Sequence, residues 1–190
     1  MSKVKYGLKN VHYAIGTVAS NGTITYGTPK AFPGAVSLNL DPQGERTVFY
    51  ADDMEYYVCS NNTGYQGDLE VALVTEDFYQ DILGEYKDAK SVLVEKADVE
   101  AVHFALLGEF TEDVNARRWC LYNCVAGRPS TAGQTKGESI EPQTETVQIT
   151  AMPVLNSALN KRIVKASTIS STNSTTYNGW YSAVYTVTTS

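Results

Sequence analysis

Strict two-residue alternation of apolar and polar side chains limits this chain's fold more than any other feature. In residues 35–40, Val36, Leu38 and Leu40 point one way and Ser37 and Asn39 the other. In residues 67–74, Leu69, Val71 and Leu73 oppose Asp68, Glu70 and Ala72. A period of two is that of a β-strand with one buried face. Residues 117–125 repeat it, with Trp119, Leu121, Asn123 and Val125 opposite Arg118, Cys120, Tyr122 and Cys124, and residues 140–152 alternate over a longer span. The strands near 117–126 and 140–152 are expected to pair around a glycine-rich tip at 127–137. Further strands are expected at 11–19, 23–26, 46–51, 91–95 and 100–110. Asn21-Gly22 makes a hairpin turn in which both residues take positive φ, and Asp41-Pro42-Gln43-Gly44 makes another turn. Residues 52–65 read as a long loop or projecting hairpin with an ordered aromatic part.

One helix is expected, at 75–84. Thr75 is its N-cap, Glu76 and Asp77 complement the dipole, Phe78, Ile82 and Leu83 form the apolar stripe, and Gly84 ends it. At about ten residues it needs a sheet to pack on. The fold class is therefore mainly β: an antiparallel β-sandwich or partly open barrel with one short flanking α-helix. Residues 1–165 form this domain. Residues 166–190 open with a Ser/Thr/Asn-rich run and continue as the β-prone Tyr177-Asn-Gly-Trp-Tyr-Ser-Ala-Val-Tyr, a segment expected to dock on the subunit or a neighbour.

Charge and cysteine content narrow the function. The net charge is −6, but residues 1–113 carry −10 and residues 114–190 carry +4. Unlike faces of this kind suit head-to-tail contact between copies. An acidic total disfavours tight nucleic-acid binding and does not argue against a surface that DNA must pass without sticking. No uninterrupted apolar run is long enough to span a membrane. Residues 1–7 lack an apolar secretory core, so synthesis in a cytoplasm and free thiols at Cys59, Cys120 and Cys124 are expected.

Catalytic chemistry has little to stand on. His12 and His103 are lone strand histidines, and the sequence holds no Gly-x-Ser-x-Gly, phosphate loop or His-Glu-x-x-His. On one strand, Cys120 and Cys124 share a face about 13 Å apart, too far for one zinc ion or a disulfide, which leaves core packing. No catalytic, cofactor or metal site is expected, and the chain is read as no enzyme. Asp68 and Glu70 stand out as two acids on one strand face, which reads either as a solvated face or, joined by Ser37, Asn39 and Glu109, as a channel wall that repels duplex DNA, with paired carboxylates for glycoside hydrolysis as a formal alternative. Tyr56 and Tyr57, with Asp52, Asp53, Arg117, Arg118 and Arg128, are candidates for contacts between subunits.

Four stretches carry a family resemblance: Gly34-Ala-Val-Ser-Leu, Phe49-Tyr-Ala-Asp-Asp, Gly67-Asp-Leu-Glu-Val and Phe78-Tyr-Gln-Asp-Ile-Leu-Gly. In this order they resemble the major tail protein (tail tube protein) of long-tailed bacteriophages, loosely across residues 4–154. The resemblance implies a structural virion protein, made and assembled in the host bacterial cytoplasm, whose hexameric rings stack into a hollow tube. It implies that DNA crosses the lumen without specific binding, and that no cofactor and no membrane takes part. Partners would be further copies of the chain, a tape-measure protein, and tail terminator and distal tail proteins. Loops at 41–66 and 127–137 would reach neighbouring rings. The alternatives are a secreted or surface carbohydrate-binding β-sandwich and, more remotely, a β-rich enzyme.

Overall fold

A computed structural model describes residues 7–111, 115–135 and 143–188. In chain order the elements are β1 (Leu8–Val18), β2 (Ile24–Tyr26), β3 (Lys30–Ala31), β4 (Ala35–Gln43), β5 (Arg46–Ala51), β6 (Met54–Ser60), β7 (Gly64–Val71), α1 (Glu76–Asp81), β8 (Tyr86–Lys87), β9 (Leu93–Val94), β10 (Phe104–Phe110), β11 (Arg118–Ala126), β12 (Glu145–Ala151), β13 (Val154–Asn156), β14 (Lys161–Ile163), β15 (Lys165–Thr168) and α2 (Ser174–Asn178). The fold is mainly β with antiparallel pairing throughout, as the alternation requires.

The principal sheet runs β2-β1-β10-β11-β12-β7-β4, with β3 attached to β1 and β15 to β11. It forks at β11, whose first half pairs β15 (Arg118 with Thr168) and whose second half pairs β12 (Cys124 with Ala151). The sheet bends so that β1 and β4, far apart in strand order, come into contact. Its inner face closes on one core. Tyr13, Phe104, Leu106 and Leu121 from one half meet Leu69, Val71, Val147 and Ile149 from the other. α1 lies along the edge of this core and inserts Phe78 into it. Phe78 is fully buried, stacked on Phe32 at 4.5 Å and edge-on to Tyr13 and Phe104. Thr75 caps the helix, and the Tyr13 hydroxyl donates to Asp81, which also receives Lys30.

The outer face carries a second cluster over β1, β10 and β11. Ala14, Ala105, Leu107, Cys120 and Tyr122 lie beneath Trp180 and Val184 from the C-terminal segment. Residues 173–185 thus form a strap on their own subunit. Asn173 accepts from the amides of Thr175 and Thr176 to start α2, Trp180 Nε1 donates to the Trp119 carbonyl, and the Tyr122 hydroxyl donates to the Tyr185 carbonyl.

Several expectations are corrected. A register shift between Phe104 and Leu106 flips the side-chain alternation within β11. Cys120 therefore sits in the outer cluster and Cys124 in the inner core, on opposite faces rather than one. In the turn after β1 only Gly22 has positive φ, and Asn21 instead accepts from Thr23. Asp41-Pro42-Gln43 is no turn but the end of β4. The β-prone C-terminal residues begin with a second helix, α2, and continue as coil, because burial under the strap is met by side chains rather than by a ladder. The expected tip 127–137 and strand 140–152 lie partly outside the described residues.

Candidate functional site

The outer face of the sheet is covered over β1, β10 and β11 but open over β4, β7 and β12. Ladder register aligns three rungs there: Ser37–Glu70–Thr146, Asn39–Asp68–Gln148 and Asp41–Gln66–Thr150. Successive rungs lie about 7 Å apart along the strands. These nine side chains include three acids and no base. The opposite sides of β7 and β12 are apolar and buried, and Leu38 and Leu40 of β4 are half-buried against the same core, so the sheet holds this polar row in place; Val36, expected on that apolar face, is instead exposed at a register shift between Ala35 and Ser37. Glu70 is fixed further. Thr144 Oγ1 donates to one carboxylate oxygen at 2.7 Å and Ser37 Oγ to the other at 2.8 Å. These bonds, that from Thr144 foremost, hold the Glu70 carboxyl below the usual carboxylate range, so it stays charged. Among the described residues β4 pairs with β7 alone, which leaves its outer edge unpaired beside the acidic row.

The hairpin β4–β7 extends beyond the sheet as a separate ribbon, β5–β6. Gly44 and Gly64, at φ 151° and 121°, mark the departure, and a Cβ at either would collide with backbone carbonyls. The ribbon closes on Asp52 and Asp53, both at positive φ (52° and 57°), the two-residue turn whose twist suits a hairpin. Each strand adds about 20 Å of reach at ~3.3 Å per residue. Every residue of β6 is exposed. Phe49, Tyr50, Met54, Tyr56, Tyr57 and Val58 all show large apolar surface, Tyr56 at 69%. Arg46 to Glu55 is an exposed ion pair across the ribbon.

The structure brings Ser37, Asn39, Asp68 and Glu70 together, and Tyr56, Tyr57, Asp52 and Asp53 together, but separates the remaining candidates. Glu109 shares the sheet face of Asp68 yet lies under the strap, 7% exposed, bonded by Arg118 Nε at 2.7 Å and Asn10 Nδ2 at 2.6 Å. Burial pushes its carboxyl up, but the bonds from Arg118 and Asn10 and the charges of Arg118 and Lys9 outweigh burial and leave it below the ordinary value. It takes no part in the open acidic row. Arg118 is likewise used internally: it also donates to the Tyr177 carbonyl and lies 4.0 Å from the Tyr177 ring. Arg117 is exposed, and Arg128 pairs with Glu95 at the surface. His12 packs against the Tyr181 ring in a tilted contact at 4.6 Å, and His103 bonds Asn123. Among the described residues no group of three or more His, Cys, Asp or Glu is placed to hold a metal ion.

Sequence reasoning missed Asp41, Gln66, Thr146, Gln148 and Thr150 on the open face. Continuing the period of two along 140–152 and pairing it with 64–71 would have found the last three. The apolar partners of Tyr56 and Tyr57 on the ribbon were missed because their neighbours read equally well as core.

A family model described as phage tail tube protein matches residues 1–183 of the chain. No curated protein matches it.

Proposed function

Because the chain belongs to the phage tail tube protein family, a structural component of the virion tail, we propose that it closes into hexameric rings stacked into the tube that conducts DNA to the host. The observation that carries this reading is the nine-residue open face with three acids and no base, set beside an unpaired edge strand. Joining the β4 edge of one subunit to its neighbour continues the sheet around a ring and removes an edge that otherwise invites aggregation. Asp41, Asp68 and Glu70 then face the bore. Their field reaches about a Debye length, ~10 Å at 0.1 M salt, and keeps phosphates off the wall.

The β5–β6 ribbon makes the contacts between rings through Tyr56, Tyr57, Asp52 and Asp53, with residues 127–135 and Arg117 and Arg128 as further contacts. A tape-measure protein occupies the bore during assembly in the host cytoplasm, and tail terminator and distal tail proteins cap the ends. The test is the double variant Asp68→Lys/Glu70→Lys. Tubes should still form, because neither side chain packs in the core, while DNA ejection slows as the wall begins to hold phosphates. Unchanged ejection from intact tubes would remove these residues from the bore.

A further inference from the structure

The chain holds two Asn-Gly pairs, Asn21-Gly22 and Asn178-Gly179. An asparagine before glycine carries latent chemistry. The glycine's backbone nitrogen stands close in sequence to the side-chain amide carbon, and no Cβ shields it. Attack closes a five-membered imide where the two atoms are held close. The two pairs sit in different settings. Asn21 is exposed in the turn between β1 and β2. Its Oδ1 accepts from the Thr23 amide at 3.1 Å and from the Thr23 hydroxyl at 2.7 Å. Both bonds draw the side chain forward, over the Gly22 peptide. Gly22 lies at φ 81°, and a Cβ there would meet nothing within 4 Å, so the ring has room to close. Asn178 ends α2. Helical side chains lean toward the helix N-terminus, away from the following amide. A Cβ at Gly179 would lie 3.1 Å from the Thr175 carbonyl oxygen, and among the described residues no hydrogen bond reaches the Asn178 side chain. Each glycine amide donates a hydrogen bond, Gly22 to Ala19 and Gly179 to Thr175, so that feature does not separate the pairs.

We propose that Asn21 is a self-modification site, converting to aspartate and isoaspartate with Thr23 as the residue that promotes the reaction. The Gly22 nitrogen, having given its proton to water, forms a bond to Asn21 Cγ. Negative charge gathers on Oδ1, to which the Thr23 N–H and O–H already donate. Donors set in advance on the atom that becomes an oxyanion lower the barrier to such a step. The bond from Cγ to Nδ2 then breaks, and the nitrogen leaves as ammonia with a proton from water. Water adds to either carbonyl of the imide and opens it. One water is consumed, one ammonia is released and no electrons change hands. At Asn178 the helix turns the carbon away from the nitrogen and no donor waits on the oxygen, so the strap keeps its asparagine. Conversion at Asn21 adds one negative charge, taking the chain from −6 to −7. Aspartate keeps the acceptor that Thr23 bonds. Isoaspartate routes the main chain through the side chain and lengthens the turn between β1 and β2. Conversion accumulates with the age of the subunit.

The test uses the full chain, held warm at mildly alkaline pH and sampled over time. Peptide mapping by mass spectrometry reads the fraction of each asparagine that has become aspartate or isoaspartate. Asn21 should convert roughly tenfold faster than Asn178. Thr23→Val keeps the amide donor but removes the hydroxyl, and should slow Asn21 roughly three- to tenfold. Thr23→Ser keeps both donors and should restore the parent rate. In strong urea the two asparagines should convert at similar rates and the Thr23 variants should match the parent, since the geometry is gone. Folded Asn178 converting as fast as Asn21 would overturn the proposal, as would a Thr23→Val chain that converts at the parent rate or faster. A difference between the two asparagines that survives in urea belongs to the sequence rather than the fold, and would overturn it equally.

Discussion

The two halves of the outer sheet face began with the same problem and solved it differently. Over β1, β10 and β11 the face is mainly apolar, with the Glu109–Arg118 pair enclosed at one end, and is covered by the strap of residues 173–185. Over β4, β7 and β12 it is polar, acidic and open. The sequences show the division directly. Phe104-Ala-Leu-Leu in β10 is a continuous apolar run, as expected of a strand buried on both sides. Thr146, Gln148 and Thr150 in β12 alternate with Val147, Ile149 and Ala151, as expected of a strand buried on one. The covered half therefore carries subunit stability, and the open half is free to serve the assembly.

Substitutions that strip the covered half should have the largest effects. Trp180 is 2% exposed, ties the strap to the Trp119 carbonyl and stacks on Tyr185 within the strap. Trp180→Ala should cost about 3–5 kcal/mol, read as a lowered urea midpoint. Arg118→Ala should come next, at about 2–3 kcal/mol. It leaves Glu109 largely enclosed, though Lys9 still stands 3.7 Å away and softens the loss relative to a fully buried pair.

The same variant tests the pH dependence. The Glu109 carboxyl lies below its ordinary value in the folded chain. Its contribution is therefore complete above the unfolded value of about 4.3 and is lost as pH falls through the folded value. Urea midpoints measured from pH 7 down to pH 3 should show this acid loss in the parent and a smaller loss in Arg118→Ala. Tyr122→Phe removes one hydrogen bond to the strap and should cost about 1 kcal/mol. Asp68→Asn on the open half should change stability by less than about 0.5 kcal/mol. A large loss there would break the division between the halves.

Legibility followed the same line. Strands with one open face announced themselves by alternation, so β4 and β7 and the row from Ser37 to Glu70 were readable. The α1 helix was readable from Thr75, its acids and Gly84. The strap was not, because Tyr177 to Tyr185 has strand-like composition and its actual role depends on an apolar face some sixty residues earlier in the chain. Glu109 looked like a member of the acidic row because it shares the face, and only the strap decides that it is enclosed. The flip within β11 that parts Cys120 from Cys124 comes from one register shift, which composition does not mark. The ribbon was legible as projecting, but its Asp52-Asp53 turn lacks the Asn-Gly or Asp-Gly signal that would have fixed its tip.

The central claim is that the open face of β4, β7 and β12 becomes the inner wall of an assembled tube. A density map of the assembled tail at side-chain resolution tests it most directly. The account predicts β4 hydrogen-bonded to a neighbouring subunit, with Asp41, Asp68 and Glu70 pointing toward the axis. A map in which these three carboxylates face outward, or in which β4 remains an unpaired edge within the ring, would contradict it.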